Sequence, residues 1–177
     1  EVRNLGDKLG TVFLQLHENF SPKDIDRLEP FLLDWPTNVP LAMEFRHTDW
    51  YNNAAIASQL YSLLEAHRVM NIITDTAGRR DLLHMRLTTP SAFVRYVGAN
   101  DAKSDRARLD EWVERLKTWV DLGMEEIDFF IHQNHEQESP LLAAHFIKKL
   151  NAELGKKLNV PQTLEDQGGL FTSEQKT

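Results

Sequence analysis

Several charged or titratable side chains in this sequence stand where a strand gives way to a loop, the place at which α/β proteins gather their chemistry. Glu44 and Arg46 lie two residues apart in LAMEFR, so on a strand both point to the same side. A carboxylate beside a guanidinium supplies an acid or base next to a permanent cation able to hold a substrate anion. The same two residues can instead form part of a buried ionic network tying adjacent strands, because a lone buried charge is costly. Arg95, in AFVRYV, is a second arginine of this kind. Two inward arginines at one end of a sheet point to an anionic ligand, small or phosphate-containing.

His132 and Asn134 share a face at the end of IDFFIH. A histidine there can act as acid, base or metal ligand, or can be a hydrogen-bonded structural residue. Asp75, between Thr74 and Thr76, is either a catalytic carboxylate or a turn cap. Gln15 ends an earlier strand, His47 and Trp50 follow the strand of Glu44, and Asn100 follows that of Arg95. Trp50 reads as a stacking platform at a rim or as packing against the next helix. The catalytic candidates are therefore Glu44, Asp75 and His132; the substrate-binding candidates are Gln15, Arg46, His47, Trp50, Arg95, Asn100 and Asn134. Glu44, Asp75, His47 and His132 resemble an oxygen–nitrogen ligand set, but no local metal motif joins them, so no metal or cofactor is assigned. His67, His84 and His145 read as ordinary surface or helix residues, and His135 as a weaker loop candidate.

The elements that must position these residues alternate strand and helix. Thr11–Leu16, Leu41–Arg46, Val69–Thr74, Ala92–Val97 and Ile127–His132 read as strands, while Leu82–Leu87 is ambiguous. Ser21-Pro22 opens a helix running to Asp34, Asn53–Ala66 has one apolar face, and Asp105–Asp121 is a long helix with Trp112 and Trp119 in the core. Ser139-Pro140 starts the last helix and Gly155 stops it. Strands separated by helices imply parallel βαβ units. Within each strand one parity is apolar while the other turns polar towards the C-terminal end, which favours a (β/α)₈ barrel over an open doubly wound sheet. Residues 1–155 are then the C-terminal part of such a barrel, roughly strands four to eight, with about three βα units expected before Glu1. Residues 156–177 read as a polar tail.

Composition narrows the function classes. The 177 residues carry a formal net charge of −7, which argues against general binding to nucleic acid or acidic membranes. The absence of cysteine removes thiol catalysis, thiolate metal sites and a disulfide framework, and fits a reducing, cytoplasmic compartment. No signal-like segment or membrane-length apolar run is present. Neither GxGxxG, a Walker loop nor GxSxG occurs, which weighs against nucleotide-fold and serine-hydrolase readings.

Four runs resemble one known family: LGTVFLQL at Leu9–Leu16, MEFRHTDW at Met43–Trp50, AFVRYVGAN at Ala92–Asn100, and IDFFIHQNHEQESPLLA at Ile127–Ala143. Together they are similar to the YecE-like family, also called domain of unknown function seventy-two. The resemblance implies a TIM barrel without an agreed activity, and covers the chain to about Leu154. His17 departs from the family's usual proline after the Gln-Leu pair. The function expected is that of an enzyme acting on an anionic substrate at the C-terminal barrel mouth. The alternatives are a metal-dependent phosphodiesterase or sugar isomerase, and a non-catalytic anion-binding protein.

Overall fold

A computed structural model describes residues 2–162 of the chain. One compact unit comprises the chain up to Tyr96 together with Gly123–Phe130; the other comprises Val97–Leu122 and the chain from Ile131 onward.

In the first unit, β1 (Val12–Gln15), β2 (Leu41–Glu44) and β3 (Met70–Asn71) form a parallel sheet in the order β1-β2-β3. Gln15 pairs with Glu44 and Met43 with Asn71 in register. The parallel pairing of β2 with β3 is what two strands joined through a helix, here α2 (Ala54–Ala66), require. The third predicted strand is two strands in fact. It breaks at Ile72, whose N–H donates to Met43 O, and resumes as β4 (Ile73–Thr76) in a second sheet ordered β4-β5-β6, with β5 at Ser91–Val97 and β6 at Glu126–His132. Neither sheet closes on itself.

Strand parity divides the apolar residues into two layers. Leu41, Met43 and Phe45 face the helix side with Leu28 and Leu32 of α1 (Leu28–Asp34) and with Leu60 and Leu64 of α2. Ala42, Met70, Ile72 and Phe93 form a separate cluster. Glu44 and Arg95 share parity with Ala42 and Phe93, so the charged groups extend from that second layer. The helix predicted from Ser21-Pro22 begins as a 3₁₀ turn, Pro22–Arg27, before α1 takes over. His17 heads the turn before it, its Nδ1 accepting from Asn19 N–H at 3.1 Å and its carbonyl from Phe20 N–H at 2.9 Å.

In the second unit α3 (Ala102–Asp121) and α4 (Ser139–Leu154) pack together, with Leu109, Trp112, Val113, Leu116, Leu142, Phe146 and Leu150 buried. Asp101 caps α3 by accepting from Lys103 N–H, so the helix starts three residues earlier than its apolar stripe indicates. Trp112 and Trp119 meet edge to face at 6.0 Å. Of the predicted tail, residues 163–177 lie outside the described residues. Residues 156–162 have no regular structure, yet Asn151 holds Leu158 by two hydrogen bonds, at 2.8 and 2.9 Å.

His84 is not the surface residue its position in an aperiodic segment indicates. Its ring stacks on Tyr51 at 4.6 Å, and Nε2 lies 3.1 Å from the Ile72 carbonyl. A carbonyl only accepts, so Nε2 carries the proton and the enclosed, unpartnered Nδ1 is a bare lone pair. Burial pulls the imidazole down to about 4, against a smaller upward pull from the Ile72 carbonyl. The unfolded chain, titrating near 6.5, therefore binds more protons than the folded one between about pH 6.5 and 4. Stability from this group is complete above that window and lost as pH falls through it, by about 3 kcal/mol in all. Thermal melts from pH 7.5 to 4.5 should show a fall that is blunted in His84→Gln, a residue that can still donate to Ile72. Parallel pH profiles for the two proteins would contradict this.

Candidate functional site

The centre of the charged cluster is Glu44, the last residue of β2 and only 2% exposed. Its Oε2 accepts from the Gln15 amide at 3.1 Å and from the Arg95 guanidinium. Three strands thus converge on one carboxylate: Gln15 and Glu44 end β1 and β2 in register, and Arg95, two residues before the end of β5, reaches the same oxygen. Arg95 also lies over the Phe13 ring at 5.2 Å, a cation–π contact. Phe13, Phe93 and Phe130 continue below it as a row of stacked rings, with centroids 5.7 and 4.9 Å apart. Phe13 and Phe130, at the ends of the row, are 42% and 45% exposed.

Arg46 is half-buried, two residues beyond Glu44, and its guanidinium has no hydrogen-bond or ion-pair partner among the described residues. Glu44 pairs across strands with Arg95 and not with its sequence neighbour Arg46; this is the inter-strand ionic contact weighed as the alternative to a substrate site. Asp75, at the end of β4 and 3% exposed, pairs with Arg80 from the following loop. Arg80 belongs to an Arg-Arg-Asp run that follows the strand-end aspartate, a signal visible in the sequence. Arg79 in the same run forks onto Asp81.

One substrate-binding candidate is corrected. Trp50 is fully buried, because the 3₁₀ turn Thr48–Trp50 rotates its indole inward, where Nε1–H donates to Phe20 O at 2.9 Å and the ring packs on Phe20 and Phe45. It is core and not a rim platform. Asn100 is engaged in joining two loops. Its backbone is left-handed, φ 58, which asparagine tolerates, and its Oδ1 accepts from His135 N–H at 3.0 Å. His47 uses Nδ1 to accept from Asp49 N–H at 3.2 Å, capping the same 3₁₀ turn.

His132 and Asn134 belong to the second unit. His132 Nδ1 is 3.3 Å from Glu136, whose carboxyl the Ser139 hydroxyl and then His132 hold below the usual carboxylate range. Asn134 is exposed. The stronger structure in this unit is one the sequence reading missed. Asp105, fully buried on α3, accepts from Ala99 N–H at 2.8 and 3.0 Å, from Asp101 N–H at 3.2 Å and from the Gln133 amide at 2.9 Å. Gln133 in turn accepts from Asn100 N–H at 3.1 Å. A Cβ on Gly98 would meet Gln133 Oε1 at 2.3 Å, so only glycine fits against this network. Asp105, Gln133 and Asn100 thus fasten the loop after β5 to the loop after β6.

Among the described residues no group of three or more His, Asp or Glu side chains is placed to hold a metal ion. No helix there is long and apolar enough to cross a membrane.

Parallel strands joined through helices, with a glutamate–arginine pair at the strand ends, define an α/β protein built on the strand–helix repeat. The chain belongs to the family described as "Protein of unknown function DUF72", whose model matches residues 1–166. The UPF0759 proteins YecE of Escherichia coli K12 and of Escherichia coli O157:H7 are each 24% identical over 188 residues, covering 94% of this chain and 67% of their own length. A crystal structure of a DUF72 family protein from Enterococcus faecalis V583 superposes with a TM-score of 0.66 at 16% identity, over 85% of this chain. This chain spans 63% of that one.

Proposed function

We propose that this chain supplies strands four to eight of a (β/α)₈ barrel and binds an anionic substrate at the C-terminal strand ends, as part of a cytoplasmic enzyme. Two observations support the barrel. The sheets are open, and the half-exposed Phe13 and Phe130 leave an apolar face of the kind that further strands cover. A relative's solved structure is longer than this chain.

The anion reading rests on one observation: Arg46 is half-buried and has no protein partner among the described residues. A guanidinium at a strand end with no protein carboxylate beside it offers its fork of donors to an anion. Arg95 is already engaged by Glu44, so Arg46 is the principal anion-binding group and Arg95 a secondary one. Gln15 and Arg95 fix the Glu44 carboxylate from one oxygen, Oε2. Glu44 is assigned to proton transfer on the bound substrate, with Asp75 as the remaining acid–base candidate of the first unit. His47 completes the binding set. A non-catalytic anion-binding protein is the second reading, favoured by the pairing of the two strand-end carboxylates, Glu44 and Asp75, with arginines.

Thermal shift in phosphate, sulfate and small carboxylates tests this, since a ligand that binds only the folded state raises apparent stability by mass action. Wild-type protein is expected to be stabilised by at least one of these anions. Arg46→Leu should lose that response while its ligand-free melting point stays unchanged, because no carboxylate is left unpaired. Loss of ligand-free stability with the anion response intact would overturn the assignment.

A further inference from the structure

At the opposite end of β2 and β3, where the strands begin, the first unit has a cleft of about 500 Å³. That volume is in the range of small-molecule sites. Trp35 and Pro36 line it on the apolar side with Leu41; Thr37, Asn38, His67 and Arg68 are the polar lining. Among the described residues no aspartate or glutamate lines it, in a chain with 27 acidic residues and a net charge of −7. The one permanent charge is Arg68, whose exposed side chain has no hydrogen-bond or ion-pair partner among the described residues.

The backbone at Arg68 adds an independent observation. Helix α2 ends with Arg68 N–H donating to Glu65 O at 3.1 Å and Val69 N–H to Leu64 O at 2.9 Å, a pattern that forces the residue after the cap into the left-handed region. After α3 that left-handed position is held by Gly123 (φ 95), and α4 ends on the left-handed cap Gly155 (φ 61). After α2 it is held by arginine, at φ 55. A side chain with a Cβ is strained there, and strain retained at a cleft marks a side chain with a use.

We infer that this cleft binds a small organic anion with a flat apolar body, the Arg68 fork taking the anionic group and Trp35 the ring. The site is separate from the Arg46 cluster and does not depend on it.

The probes are 2-naphthoate and its uncharged counterpart 2-naphthamide, titrated into the ¹⁵N-labelled protein. Trp35 is the one tryptophan of the four that is not buried, and its indole N–H donates to Val39 O, so its side-chain signal reports on the cleft directly. Naphthoate should shift the Trp35 indole signal and the Asn38, His67 and Arg68 amides saturably, and bind at least about tenfold more tightly than naphthamide. Arg68→Gly should raise the melting temperature by releasing the strain and at the same time abolish the preference for naphthoate. Arg68→Gln should also abolish the preference, without the rise. Arg46→Leu should leave these shifts unchanged. Equal binding of the two probes, absence of binding, a lower melting temperature in Arg68→Gly, or loss of the shifts in Arg46→Leu would each overturn the proposal.

Discussion

Replacing Asp105 by alanine is expected to destabilise the protein by about 3–5 kcal/mol, because it leaves buried partners of an ionic hydrogen-bond network without their acceptor. The N–H groups of Ala99 and Asp101 and the amide of Gln133 all point at this one carboxylate, and Arg108 approaches it at 3.4 Å. A methyl group satisfies none of them, and the enclosed space is too tight at Gly98 for easy rearrangement. The loss should appear in urea unfolding followed by circular dichroism. Hydrogen exchange at Ala99, Asn100 and His135 should accelerate beyond the global change, since these amides lie on the two loops that the network joins. A change below about 1 kcal/mol would mean that the network relaxes onto water, and that the loops are held by other contacts.

Replacing Arg95 by leucine is the second large effect, again about 3–5 kcal/mol, because it leaves Glu44 buried with only the Gln15 amide to hold it. This sets Arg95 apart from Arg46, for which the same substitution should be nearly neutral in the absence of ligand. A double-mutant cycle separates pairing from packing: removing Glu44 as well, as Glu44→Leu with Arg95→Leu, should recover a large part of the loss, since no uncompensated charge remains. If the single variant unfolds at the wild-type urea midpoint, the pair contributes little and Arg95 is free for a ligand.

The strand–helix order and the parallel pairing of β2 with β3 were legible in the sequence because apolar parity and serine–proline helix starts are local signals. So was the two-sided character of β2, with Met43 and Phe45 turned to the helices and Glu44 away from them. Partner choice was not legible. Glu44 and Arg46 are neighbours in sequence, yet in-register pairing brings Gln15 to Glu44, and Arg95 of β5 completes the contact. Trp50 misled because a three-residue turn reverses the direction of a side chain that an extended chain would leave at the rim. Asp105 did give a signal: it lies four, seven and eleven residues before Leu109, Trp112 and Leu116, on the buried stripe of α3, where an acid needs partners. His84 gave none, since its segment has no period and its burial depends on Tyr51 and on the carbonyl of Ile72.

Arg46 is the anion-binding group on which the proposed function depends. The most direct measurement is a crystal of the protein soaked in selenate, whose selenium is located by anomalous scattering. The expected result is a peak within hydrogen-bonding distance of the Arg46 guanidinium, absent in Arg46→Leu. Arg46 paired to a protein carboxylate, with no anomalous peak beside it, would contradict the account.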